Sequence, residues 1–139
     1  MTTPLPPREL FPRVMEKTLE LTGQKVPTKT VQGLAKIFTS LCWEFPDYGL
    51  SIYTLLDEEG RFSYVESIEG EADAQITMKA EQLHSVVYGR ANLPKMFLTG
   101  KIKVRGLPRL KLFKFVPLLG PFLDSYKEAC EGAGSGPSP

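Results

Sequence analysis

Apolar and polar residues change rhythm several times along the chain, and each rhythm predicts a different element. Pro4, Pro6 and Pro7 favour an extended leader over residues 1–11. Pro12 suits the first turn of a helix whose apolar positions are Val14, Met15, Leu19 and Leu21, and Gly23 is expected to stop it. Between Thr28 and Phe45 two periods overlap. Val31, Leu34, Ala35, Phe38, Leu41, Cys42 and Phe45 keep helical spacing, yet Ile37 to Phe45 is rich in strand formers. The stretch therefore reads either as one helix or, the preferred reading, as a helix that yields to a strand near Ile37.

Pro46, Asp47, Tyr48 and Gly49 form a turn. Beyond it, Leu50 to Leu56 and Arg61 to Ile68 flank Asp57, Glu58, Glu59 and Gly60, the signature of a hairpin with a short loop. Ala72 to Met78 alternates, which predicts a half-buried strand serving as a further hairpin partner. Ala80 to Tyr88 carries Leu83, Val86 and Val87 on one helical face and ends at Gly89, a short crossover helix. Lys101 to Arg105 alternates strictly, Ile102 and Val104 against Lys101, Lys103 and Arg105, as in an edge strand wet on one side. Leu107 to Leu123 is almost wholly apolar, too much so for one amphipathic stripe. Pro117 and Pro121 in this stretch predict two short helical pieces. The ending GAGSGPSP, residues 132–139, reads as a flexible tail, leaving 12–131 as a single domain.

Composition adds little except by exclusion. With 139 residues, 42% apolar and 24% charged, the chain can bury one ordinary core and lacks the signature of disorder. The net charge of +1 hides an asymmetry. Asp57, Glu58, Glu59, Glu66, Glu69, Glu71 and Asp73 face Arg61 alone, while Gln82 to Leu123 holds no Asp or Glu and eight Lys or Arg. The molecule is expected to be a dipole. Cys42 and Cys130 are too few for a disulfide framework and fit free thiols in a reducing, cytoplasmic setting. No export signal and no run of about 18 apolar residues appears, so a membrane-spanning chain is not expected.

The stretch EADAQITMKAEQLHSVVYGRANLPKMFLTGKIKVRG, Glu71 to Gly106, resembles the sterol carrier protein (sterol-binding domain) family. The resemblance rests on the Ala72–Asp73 entry to a strand, the helix ending in Gly89, the Asn92 and Pro94 step, and the run from Phe97 to Gly106; it extends more weakly upstream to Leu34. It implies an α/β (α+β) fold, a mostly antiparallel five-stranded sheet covered by helices. Between the layers it implies an apolar tunnel that accepts sterols, fatty acids, acyl-CoA or phospholipids. The chain departs from the family after Gly106, where Leu107, Pro108 and Arg109 stand in place of a short glycine-containing helix start, and it lacks the small-basic-Leu terminus of peroxisomal members.

An apolar surplus is ordinarily just core; in the light of the resemblance it becomes a candidate lining. A lipid tunnel needs walls without groups that demand hydrogen bonds, and Ile76, Met78, Leu83, Val87, Met96, Phe97, Ile102, Val104, Phe113, Val116 and Leu119 meet that condition. Lys101, Lys103 and Arg105, with Arg109, Lys111 and Lys114, are either a solvated face or a contact for anionic membrane surfaces or an acidic head group. No reader motif accompanies them, so nucleic acid is not an expected partner. Catalysis is not expected either. His84 is the only histidine and has no Ser, Cys or Asp motif around it, and the Asp57–Glu59 run reads as a solvated loop. The cysteines are too scattered for zinc or redox chemistry, and no glycine-rich phosphate loop occurs, so no cofactor is expected. The leading reading is a non-enzymatic module that binds and transfers one hydrophobic ligand, with Leu107 to Leu123 as wall or gate. The alternative is an accessory protein for a lipid or quinone biosynthetic enzyme.

Overall fold

The computed structural model describes residues 3–89, 92, 95–96, 99–106 and 116–135. Helices α1 (Phe11–Lys25) and α2 (Thr28–Ala35) lead into β1 (Ser40–Phe45), β2 (Leu50–Leu56), β3 (Phe62–Val65) and β4 (Ala74–Thr77). Helix α3 (Ala80–Val87), β5 (Lys103–Arg105) and α4 (Val116–Ser135) complete the chain. The five strands lie in the order β3-β2-β1-β4-β5. All neighbours are antiparallel except β1 and β4. The sheet is thus mostly antiparallel, as expected, but β4 is not the hairpin partner that its alternation suggested. It runs parallel beside β1, with Trp43 opposite Ile76, because the chain from Glu66 to Asp73 returns across the sheet instead of turning back on β3.

Alternation sorts the sheet into two faces. Leu41, Trp43 and Phe45 share the inner face with Ile52, Thr54, Ala74, Ile76 and Val104, their cross-strand neighbours. Leu41 and Phe45 are fully buried there, beneath Phe11, Met15 and Leu19 of α1 and Leu118, Phe122 and Tyr126 of α4. Phe11 meets Phe45 edge to face at 4.9 Å. The outer face carries Glu44, Ser51, Tyr53, Gln75, Thr77, Lys103 and Arg105.

Two breakers fail to break their helices. Gly23 does not end α1, which continues to Lys25. A Cβ at Gly23 would sit 3.2 Å from the carbonyl oxygen of Phe62, so the glycine serves close passage of β3. Likewise α4 runs unbroken past Pro117 and Pro121, where breaks between helical pieces were expected; residues 107–115 of that stretch lie outside the described residues. Pro117 stands in the first turn, where no N–H partner is needed, and Pro121 removes a single bond near the start. Burial of Leu118, Phe122, Ser125, Tyr126, Ala129 and Cys130 along one face outweighs that loss. The helix also runs through residues 132–135, within the segment expected as a tail.

The other expectations shift by a few residues. Helix gives way to strand between Ala35 and Ser40, the hairpin β2–β3 forms, and β5 is an edge strand with its two basic residues exposed. Long-range polar contacts fix the frame. Both carboxylate oxygens of Asp47, in the β1–β2 turn, accept from the Ala80 and Glu81 amides and so cap α3. The leader is docked along the body: Pro6 is buried, its carbonyl accepts from the Tyr48 hydroxyl at 2.6 Å, and Arg8 donates to the Tyr48 carbonyl at 2.6 Å.

Candidate functional site

The sheet and helices meet in an apolar region around β4, β5, α3 and the first half of α4. Ile76 and Val104 stand opposite each other in the β4–β5 ladder, on the inner face, and both keep part of their surface accessible. Trp43 is the cross-strand neighbour of Ile76 on the other side, and its indole lies flat on the ring of Phe122. The indole N–H donates to the Thr54 hydroxyl at 2.9 Å, so the one polar atom of this tryptophan is satisfied inside the sheet. Neither Trp43 nor Phe122 stood among the expected lining residues; the signal that could have found Trp43 is its place between Leu41 and Phe45 in a strand-period run.

The expected lining residues divide by depth. Met78, Leu83, Met96 and Ile102 are buried, while Ile76, Val87, Val104 and Leu119 are half-buried. Helix α3 packs against α4, which brings the Leu83–Val87 and Leu119 elements into contact. The carbonyl of Met96 accepts from the amides of Lys101 and Ile102, closing the turn that delivers β5 to the sheet edge. Val116 opens α4, its side chain outside the described residues, as are Phe97 and Phe113. None of the described lining side chains is ionisable, so the region offers dispersion and desolvation alone.

The basic residues lie elsewhere. Lys101, Lys103 and Arg105 are exposed, and the register puts Lys103 and Arg105 on the outer face, opposite to Val104. The Arg105 guanidinium donates to Gln75 at 2.6 Å, and the Gln75 amide in turn approaches Glu44 and Thr77. Arg109, Lys111 and Lys114 lie outside the described residues. The acidic loop Asp57–Glu59 sits between β2 and β3, at the far end of the strand order from β5. The loop acids and the β5 basic residues thus lie at opposite edges of the sheet, whereas Asp73, at the entry to β4, lies against Gly106 beside β5.

His84 is buried, and both ring nitrogens are engaged. A carbonyl oxygen only accepts, so Nε2–H donates to the Thr3 carbonyl at 2.7 Å, and Nδ1 lies 3.1 Å from the Tyr126 hydroxyl, within hydrogen-bond reach. Burial holds the Tyr126 phenol far above its ordinary range and pushes the Cys130 thiol up to about 11. Such a thiol is a poor nucleophile, and this cluster packs α3, α4 and the leader together. Among the described residues no group of His, Cys, Asp or Glu is placed to hold a metal, and no helix is long and apolar enough to cross a membrane.

Residues 17–112 match the model of the SCP-2 sterol transfer family. A fatty acid-binding protein of Yarrowia lipolytica (strain CLIB 122 / E 150) is 42% identical over 40 residues, which is 29% of this chain and 31% of that protein. The matched segment therefore spans about a third of that relative's length. Among solved structures, TT1886 of Thermus thermophilus, described as possibly a sterol carrier protein, superposes with a TM-score of 0.58 at 16% identity, covering 89% of this chain and 91% of that one. The sec-alkylsulfatase Pisa1 of Pseudomonas sp. gives 0.51 at 20% identity over 76% of this chain but only 15% of its own. At these identities the likeness is one of fold.

Proposed function

Because the chain belongs to the SCP-2 sterol transfer family, we propose that it binds one hydrophobic ligand, a sterol, fatty acid, acyl-CoA or similar lipid, in a tunnel between sheet and helices. The observation that carries this reading is the pair Ile76 and Val104, half-buried on the inner face of β4 and β5 with Ile76 beside Trp43, whose indole stacks on Phe122; Val87 and Leu119 are half-buried on α3 and α4, which pack together. In this reading the buried Met78, Leu83, Met96 and Ile102 form the deeper wall; Phe97, Phe113 and Val116 are assigned to the lining from the sequence alone. Each buried methylene contributes about 0.8 kcal/mol, so a roughly 16-carbon chain offers on the order of 12 kcal/mol before ordering costs. That is enough for micromolar binding without a single polar contact.

Binding of this kind needs no catalytic group, and the reading assigns none. For transfer within the cell, the exposed Lys101, Lys103 and Arg105 would steer the β5 edge toward anionic lipid surfaces, with Arg109, Lys111 and Lys114 assigned to the same role from the sequence alone. Mass spectrometry of an organic extract of the native protein is expected to find a co-purifying lipid. A fluorescent fatty acid is expected to bind, to be displaced by unlabelled lipid and to change the emission of Trp43, the sole tryptophan. A protein that carries no lipid, binds none and instead retains a biosynthetic enzyme in a pull-down would be an accessory subunit.

A further inference from the structure

A second apolar space lies between α1 and α4, lined by no residue of β4, β5 or α3. Its origin is a taper in side-chain size. The α4 residues that follow one another on the stripe toward α1 shrink from Leu118 and Phe122 through Ser125 to Ala129 and Gly132. Opposite Leu10 and Val14 the last two are too small to fill the gap, and an open cleft of about 320 Å³ remains. This volume is at the lower end of that of small-molecule sites.

The floor is apolar, formed by buried Val14 and Ala129 with half-buried Leu10. The rim is charged, and its charges are unequally matched. Glu128 pairs with Lys25, and Lys17 with Glu20 at 3.4 Å. Arg13 is exposed, and its guanidinium has no hydrogen-bond or ion-pair partner among the described residues. An unmatched guanidinium above an aliphatic floor complements a carboxylate carried on a hydrocarbon chain. Glu128, on the facing wall, disfavours a doubly charged head.

We propose that this cleft is a second binding site, for a monoanionic carboxylate amphiphile, with Arg13 holding the head and Leu10, Val14 and Ala129 covering the first carbons of the tail. It shares no residue with the proposed lipid tunnel, so either reading can fail alone.

The test is an amide chemical-shift titration of the whole chain with decanoate, with uncharged decanol as the control. Saturable shifts are expected at Val14, Lys17, Ala129 and Gly132, smaller with decanol, separate from any at Ile76 and Val104. Arg13→Gln, at an exposed position, is expected to weaken the α1–α4 response about tenfold and leave the other set unchanged. Ala129→Leu, which fills the cleft, is expected to abolish the response at Val14 and Lys17. The site would be overturned by the absence of shifts there, by equal shifts with decanol, or by an Arg13→Gln titration matching the unsubstituted protein. Arg13→Gln decides the matter if Ala129→Leu does not fold.

Discussion

The indole of Trp43 and the ring of Phe122 are stacked with their centroids 4.8 Å apart and their planes inclined by 5°. This contact ties the middle of the sheet to α4, and both side chains are almost wholly buried, at 5% and 3% exposure. Phe122→Ala is expected to cost about 3–5 kcal/mol, the usual range for emptying a buried aromatic site. Urea unfolding would measure the loss, and Trp43 emission would shift to the red as water reaches the indole.

On the inner face of the sheet, Val104→Asp is expected to lower fatty-acid affinity at least tenfold, since a carboxylate would enter an unpaired apolar environment. Lys103→Glu with Arg105→Glu acts on the other face. That pair is expected to weaken association with anionic vesicles, most visibly at low salt, and to leave binding of soluble fatty acid unchanged. Vesicle association indifferent to both salt and charge would refute the docking role.

Asp73 gives the fold an acid limit. The Thr39 amide and hydroxyl donate to its carboxylate at 2.9 and 3.0 Å and hold it below the usual carboxylate range. A lowered folded value means the ionised form favours folding, so the stabilisation is present at neutral pH and disappears as the pH falls through that value. Urea midpoints of the parent and Asp73→Asn are expected to differ at pH 7 and to converge below about pH 4.

The thiols should be silent in the folded protein. Burial raises both Cys42 and Cys130, the latter to about 11. At pH 8 both are expected to resist alkylation until the chain is unfolded, as a denaturant series with iodoacetamide would show. Rapid modification of either in the native state would contradict this packing.

Ser125 predicts a gain. Its side chain is fully buried on α4, and its hydroxyl has no hydrogen-bond partner among the described residues. Ser125→Ala removes an unmet polar group and improves helix propensity, so a stabilisation of about 1 kcal/mol is expected in thermal or urea unfolding.

What the sequence made legible was whatever depends on neighbours a few residues away. The β2–β3 hairpin followed from two alternating runs around Gly60, α3 from its single apolar face and Gly89, and β5 from strict alternation. Alternation also placed Val104 and Ile76 inward. What it did not reveal depends on distant partners. The parallel pairing of β4 with β1 is set by a return across the sheet. The continuity of α4 past Pro121 comes from a stripe buried against α1 and the sheet, which outweighs local propensity. His84 offered no hint that its two nitrogens would join the leader to Tyr126. The candidate lining was chosen as apolar positions on the right elements, and periodicity has no means of ranking them by depth.

The docked leader has a practical consequence for any shortened version of this protein. Residues 3–10 precede the segment matched by the family at 17–112, and trimming the chain to that segment would also cut into α1. Even a cut at Leu10 would take away the carbonyl acceptors of His84 and Tyr48. The remnant would keep its hydrophobic sheet but lose the hydrogen-bonded cover over the α3–α4 end. Poor yield from such a fragment would reflect stranded donors rather than a failure of the fold itself.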